Sequence, residues 1–278
     1  MNNLLLRSIV ATGYVVVMVG CTLYSAWTLG ALALLLTLLA VREFITIGTA
    51  DGKLHVSRTL VACGSLLFPM AIYIHSFAPQ IGLVTLLAPY AVFLLAVFIT
   101  TLFTKHENPL GELGLTALSQ VYIVVPLSLL FVLAFNPASN ENVMPWYVLP
   151  LALYFFVWTD DCGAYLAGST LGRHKLCPRI SPGKTWEGCV GGLVLALGTA
   201  VAVSFLFPYL PMWKWMGMAA VCVVFGTFGD LVESLMKRTL GIKDSGHLLS
   251  GHGGILDRID SMLMALPAVV VYLLAVGV

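Results

Sequence analysis

The sequence predicts an all-α, polytopic integral membrane protein with about nine transmembrane helices and a cytoplasmic N-terminus. Hydrophobic residues make up 59% of the chain and charged residues only 10%, against about 25% charged in soluble globular domains. Apolar runs recur along the whole length, at roughly 8–27, 29–48, 59–76, 81–103, 113–135, 145–169, 188–208, 212–235 and 260–277. Each is near the ~20 residues a helix needs to cross hydrocarbon with its backbone groups paired. Basic residues are segregated between alternate connections. With the N-terminus inside, Arg7, Arg42, Lys53, Arg58, Lys105, Arg173, Lys175, Arg179, Lys184, Lys237, Arg238, Lys243 and Arg258 share the cytoplasmic side, and Lys214 stands alone opposite. Lysine and arginine are retained inside, so this asymmetry sets the orientation, favours an odd number of spans and puts the C-terminus outside.

The first run, behind Arg7, continues past Gly20 without a small-residue cleavage site, so it reads as a retained span and not a signal peptide. The connections at 28 and 77–80 are short enough to make antiparallel hairpins. Six cysteines, at 21, 63, 162, 177, 189 and 222, form no CxxC pair, which suggests neither a disulfide framework nor a structural zinc site. A net charge of +1 excludes a polybasic chain built for nucleic acid. Two regions follow. Residues 1–112 hold N-terminal helices without specific chemistry, suited to lipid positioning or oligomer contacts. Residues 113–278 hold the catalytic region, with cytoplasmic loops 170–187 and 236–259.

Sixteen of the 27 charged residues fall within 160–187 and 230–260. Positive-inside loops account for the basic ones but not for the eight carboxylates beside them, which are costly at membrane depth. In GTFGDLVESLMKR, Asp230, Glu233 and Lys237 are spaced i, i+3 and i+7, so they lie along one helical stripe. Either a salt bridge to Lys237 or a bound cation would relieve Asp230. Asp257 and Asp260 repeat the i, i+3 spacing at the start of the ninth span. If the two helices pack, three carboxylates converge, a donor set that suits Mg²⁺. In WTDDCGAYLAG, adjacent residues point about 100° apart, so at most one of Asp160 and Asp161 faces a given neighbour squarely, with Asp161 preferred.

SPGKTWEG, residues 181–188, contains GKT but not the first glycine of a Walker loop, and there is no parallel sheet to hold one. It reads as a short turn with backbone donors, the hydroxyls of Ser181 and Thr185, and Lys184 as a phosphate clamp. HGG at 252–254 offers backbone able to approach a ligand closely, with His252 as a binding group and not a base. His55, His75, His106 and His174 give no constellation. Cations for phosphates, carboxylates for Mg²⁺ and a place at the headgroup level together suit phosphoryl or nucleotidyl transfer to a lipid.

SLMKRTLGIKDSGHLLSGHGGILDRID, residues 234–260, resembles the signature of the phosphatidate cytidylyltransferase (CDP-diacylglycerol synthase) family in its S-x-x-K-R, K-D and H-G-G-x-x-D-R-x-D elements. TDDCGAY and ISPGKTWEG resemble further segments of it, so the likeness covers residues 155–262 by motif and the rest by length and multi-span character. Ser250 stands where proline is frequent in that family. The resemblance implies transfer of CMP from CTP to phosphatidic acid, giving CDP-diacylglycerol and pyrophosphate in phospholipid biosynthesis, with Mg²⁺ and a second cation allowed. On matching positions it implies Asp230, Asp257 and Asp260 as catalytic metal ligands. Lys237, Arg238, Lys243 and Arg258 would neutralise the triphosphate and the lipid phosphate. Asp161, Ser181, Lys184, Thr185 and His252 would contact substrate. The expected setting is a bacterial inner membrane with the site facing the cytoplasm, membrane lipids around it, no nucleic acid, and a homodimer.

Two other readings stay open on residues alone. A CDP-alcohol phosphotransferase also places aspartates at this depth, but its DGxxAR…GxxxDxxxD pattern is absent, since Asp51-Gly52 continues as KLHV. A cation-coupled transporter buries carboxylates near mid-bilayer on broken or repeated helices, whereas here the charges lie toward one face.

Overall fold

The computed structural model describes residues 3–135, 144–242, 245–246 and 253–278, with the backbone alone over 3–9. It is helical almost throughout and divides into two compact units, residues 1–132 with 244–258 and residues 133–243 with 259–278.

The first unit begins with α1 (Asn3–Tyr24) and α2 (Ala26–Gly48), joined through Ser25 alone. The Ser25 hydroxyl accepts the Thr28 N–H at 3.2 Å, and the Ser25 N–H donates to the Thr28 hydroxyl at 3.1 Å. This reciprocal cap satisfies two donors at the new N-terminus. It moves the turn three residues upstream of the connection predicted at 28. Next, α3 (Arg58–Gly64) and α4 (Leu67–Phe77) fill one predicted span with a break at Ser65–Leu66, and α5 (Leu83–Phe103) follows. The fifth predicted span is also irregular: α6 (Pro109–Ser119) passes through a π turn at Gln120–Val124 into α7 (Val125–Ala134). Pro126 explains the widening, because it lacks an N–H and its ring would meet the carbonyl four residues earlier. The Val125 N–H accordingly reaches back to the Gln120 carbonyl. The two irregularities meet at a buried polar knot. The Gln120 amide donates to Ser65 Oγ at 2.8 Å, and its carbonyl oxygen accepts from Tyr90 at 3.2 Å.

The second unit contains α8 (Val148–Leu171), a two-stranded hairpin of β1 (Lys175–Cys177) and β2 (Ser181–Thr185), α9 (Trp186–Leu206), α10 (Met212–Thr239) and α11 (Leu256–Ala275) from Ile259 onward. The hairpin is a small addition to the all-α fold and replaces the plain turn read in SPGKT. Its strands pair antiparallel, Lys175 with Thr185 and Cys177 with Ser181. Strands this short are invisible to a search for long apolar runs. Small residues let α8 and α9 touch: a Cβ on Gly163 would stand 2.6 Å from the Gly191 carbonyl oxygen and 2.9 Å from Gly192 Cα. Such close backbone approach is how helices gain packing in lipid, where burial of apolar surface adds little. The α10–α11 contact is made the same way, with a Cβ on Gly229 falling 3.0 Å from Ser261 Cα.

Seven of the described helical segments are long and apolar enough to cross a membrane by length and composition. The two other predicted stretches are helical as well. In α1 the described apolar part is Val10–Tyr24, and α8 carries Asp160 and Asp161 in its middle. The chain is an all-α integral membrane protein with one small two-stranded hairpin among the described residues.

Candidate active site

The second unit holds a cavity of about 480 Å³ between α8, the hairpin, α9, α10 and α11, within the ~300–1,000 Å³ range of small-molecule sites. Each wall has a local cause. Thr185 ends β2 and caps α9, its hydroxyl accepting the Gly188 N–H at 3.1 Å, so the strand-to-helix junction is fixed and Lys184 just before it turns into the cavity. The Lys184 ammonium lies 2.6 Å from Asp230 Oδ2, and Ser234, one turn along α10, donates to Asp230 Oδ1 at 3.1 Å. Both members of the Lys184–Asp230 pair stay partly exposed, so solvent reaches the pair and its members can change partners.

Asp160 and Asp161 both line this cavity, although their side chains diverge. Asp160 is 7% exposed and turns toward Gly192 of α9, whose missing Cβ makes room for the carboxylate. Its Oδ1 is buried with no hydrogen-bond partner among the described residues. Asp161, the one preferred from the sequence, is exposed. The cavity is wide enough to be lined by two successive helical residues.

Lys237 takes another partner. Its ammonium is 2.5 Å from Glu233 Oε2, with Glu233 1% and Lys237 13% exposed, so Lys237 pairs inside the helix with Glu233 at i, i+4, where the sequence offered it as the partner of Asp230. Arg238 reaches the hairpin, donating from Nε to the Ile180 carbonyl at 3.4 Å. Asp260 accepts its neighbour's N–H, from Ser261, at 2.7 Å. Ser181, in β2, is half-buried and does not line the cavity.

In the first unit, Asp257 opens α11 and is held by the chain before it. Its Oδ2 accepts the Ser245 N–H at 3.0 Å, the Ser245 hydroxyl at 3.0 Å and the Gly254 N–H at 2.8 Å. Arg258 is exposed, and its carbonyl accepts from the Tyr14 hydroxyl at 3.3 Å. Lys243 and His252 lie outside the described residues.

Glu43 escaped the sequence reading. It sits near the end of α2 and bonds the Ser245 hydroxyl, the Ile255 N–H at 2.9 Å and the Leu256 N–H at 3.1 Å. The available signal was a carboxylate inside an apolar span, AVREFITIG. His55 and His106, which form no pattern in sequence, meet with ring centroids 4.9 Å apart. The buried Glu112 joins them, accepting the His55 N–H at 2.8 Å and facing His106 Nδ1 at 3.0 Å.

Among the described residues, no three His, Cys, Asp or Glu side chains stand ready to hold a metal ion. Asp160, Asp161 and Asp230 nevertheless share one cavity, and Asp160 brings an unsatisfied buried oxygen. Mg²⁺ uses one or two carboxylates and completes its shell with water and substrate phosphates. The donor set therefore fits a cation that shares its ligands with a polyphosphate.

Residues 5–276 match the family described as "Cytidylyltransferase family". The chain belongs to this family. Relatives named phosphatidate cytidylyltransferase include that of Staphylococcus aureus (strain COL), 48% identical over 118 residues covering 42% of this chain and 45% of that protein. That of Haemophilus influenzae is 42% identical over 134 residues, covering 44% and 45%. That of Bacillus subtilis (strain 168) is 37% identical over 187 residues, covering 65% of each. The matched stretches thus span from 45% to 65% of these relatives' length. Within this member of the family, Lys184 and Asp230 are the expected site residues that one cavity brings together in direct contact.

Proposed function

We propose that the protein transfers CMP from CTP to phosphatidic acid, releasing pyrophosphate and leaving CDP-diacylglycerol in the membrane. The observation that carries this reading is the Lys184–Asp230 pair in a carboxylate-lined cavity, in a membrane chain that belongs to the cytidylyltransferase family. A phosphate oxygen of phosphatidic acid attacks the α-phosphorus of CTP. The new P–O bond forms as the bond to the β-phosphate bridging oxygen breaks, and pyrophosphate leaves with that electron pair. The attacking oxygen is already anionic near neutral pH, so no strong base is required, and catalysis rests on positioning and charge stabilisation.

Lys184 exchanges its carboxylate partner for a phosphate, and Arg238 and Arg258 add positive charge for the triphosphate and the lipid headgroup. Lys237 and Lys243 join them on the strength of the motif, as do Ser181, Thr185 and His252 as substrate contacts. Mg²⁺ would be held by Asp230, with Asp257 and Asp260 as motif-derived ligands and Asp160 or Asp161 available to a second cation. When bound it neutralises charge on the phosphates. A homodimer in a bacterial inner membrane completes the reading, with nine spans and the charged loops in the cytoplasm.

Purified protein given CTP, phosphatidic acid and Mg²⁺ is expected to release pyrophosphate in step with CDP-diacylglycerol. A transporter releases none, and a CDP-alcohol phosphotransferase releases CMP from a CDP-lipid instead. For orientation, a cysteine placed at Lys175 in a cysteine-depleted protein is expected to label only from the cytoplasmic side. Labelling from outside contradicts the topology and the route by which CTP arrives.

A further inference from the structure

We propose that Glu43 is a positioning residue for the site. Its carboxylate sets the turn through Gly254 and the start of α11, and thereby the state in which Asp257 meets a cation. The inference rests on the reading of Asp257 as a metal ligand.

Three features carry it. First, one carboxylate on α2 gathers three donors from a segment some two hundred residues away: the Ser245 hydroxyl and the N–H groups of Ile255 and Leu256. The first N–H groups of a helix have no partner within it, and a carboxylate there also meets the positive end of the helix dipole. Second, the turn is shaped around this carboxylate. A Cβ on Gly254 would fall on the Glu43 carboxylate, and one on Gly246 would lie 2.9 Å from its Cδ. The second glycine of the H-G-G element therefore has a steric reason to lack a side chain. Gly253 adds a φ of 78°, a left-handed conformation that glycine adopts without strain.

Third, Glu43 and Asp257 share one hydroxyl. Ser245 Oγ bonds Glu43 Oε1 and also lies 3.0 Å from Asp257 Oδ2, yet it has a single proton to give. With Glu43 present the proton goes to Glu43. Asp257 then has one donor fewer competing with a cation for its lone pairs, while the Ser245 and Gly254 N–H groups hold it in place. Without Glu43 the proton turns to Asp257, and the Ile255 and Leu256 N–H groups lose their partner. A glutamine cannot substitute, because both carboxylate oxygens face N–H donors and the amide nitrogen would oppose one of them.

The test uses full-length protein in detergent with two readouts. Hydrogen exchange without substrate or metal follows the Ile255 and Leu256 amides, and a Mg²⁺ titration follows CMP transfer. Glu43→Gln is expected to speed exchange at those two amides by about tenfold, the loss of roughly one hydrogen bond to a charged acceptor. Amides in the middle of α2 should not change. The Mg²⁺ needed for half-maximal rate is expected to rise by about 10- to 100-fold, as when outer-shell partners of metal ligands are removed, with much of the rate recovered at high Mg²⁺. Ser245→Ala keeps the carboxylate and both N–H bonds but unties Ser245 from Glu43, which loosens the Ser245 N–H that holds Asp257; it is expected to raise the Mg²⁺ requirement by less, and it serves if Glu43→Gln fails to fold.

Faster exchange with an unchanged Mg²⁺ requirement overturns the inference and leaves Glu43 a helix cap. Unchanged exchange overturns it too, as does a Ser245→Ala protein with a normal Mg²⁺ requirement. Asp257→Asn separates the two readings. If that variant retains activity with ordinary Mg²⁺ dependence, the metal role of Asp257 fails and the inference fails with it.

Discussion

In the second unit, carboxylates line an open cavity and one of them, Asp230, is met by a side-chain cation, Lys184. In the first, Glu43 and Asp257 are met by backbone N–H groups and a serine hydroxyl. The Lys184–Asp230 pair is partly exposed, so its attraction is moderated by solvent and its members can change partners. The Glu43 network takes its donors from the backbone, which cannot swing away. Side-chain pairing lets a charge change partners, whereas backbone pairing holds a carboxylate in one place. The two arrangements should therefore fail differently when a charge is removed.

The largest effect is expected where charge is available for chemistry. Lys184→Ala and Asp230→Asn should each lower CMP transfer by about 10²- to 10³-fold, the scale of losing one electrostatic contact to a transition state, with thermal unfolding little changed. Lys184→Arg should keep part of the rate, since it preserves charge but not the compact ammonium. Near-normal transfer by Lys184→Ala would remove the hairpin from the site.

The Glu233–Lys237 pair sharpens the comparison, being a side-chain pair whose carboxylate is buried and whose ammonium is largely covered. Glu233→Gln removes the carboxylate that faces the Lys237 ammonium and is expected to cost about 3–5 kcal/mol of stability, whereas replacing both residues by leucine should restore most of it. Unfolding in detergent measures both. If Glu233→Gln is as stable as the parent yet inactive, Lys237 belongs with the phosphate-binding groups.

Smaller effects are expected from the scaffold. Gly192→Ala places a methyl group against the Asp160 carboxylate and should cost about 1–3 kcal/mol by overpacking, read as a lowered unfolding temperature. Thr185→Ala removes the α9 cap and should cost about 1 kcal/mol, with a further fall in transfer from the substrate contact proposed for its hydroxyl. Full transfer at a temperature where the variant is folded would leave Thr185 a helix cap alone.

The sequence made some of this arrangement legible and hid the rest for physical reasons. Helical periodicity put Asp230, Glu233 and Lys237 on one stripe, because spacing within a helix is local. Partner choice is not local: Lys237 closes on Glu233 within α10, while Asp230 takes Lys184 from the hairpin. Hydropathy located the helices but not their breaks. The π turn before Pro126 depends on how Gln120 and Ser65 satisfy each other. The hairpin at 175–185 is too short to register as a pattern, yet it delivers Lys184 to the cavity. Glu43 was hidden most completely. Its role depends on Ser245, Ile255 and Leu256, and no local rule links them to AVREF.

The central claim is that the Asp230 cavity carries out cytidylyl transfer while the Glu43 network positions. The most direct measurement is phosphorus NMR of purified protein with CTP and phosphatidic acid, comparing wild type, Glu43→Gln and Asp230→Asn at limiting and at saturating Mg²⁺. The account predicts equal amounts of pyrophosphate and CDP-diacylglycerol from wild type, recovery of Glu43→Gln as Mg²⁺ saturates, and no recovery of Asp230→Asn at any Mg²⁺ concentration. Wild-type protein that forms no CDP-diacylglycerol, or an Asp230→Asn protein that recovers alongside Glu43→Gln, would contradict it.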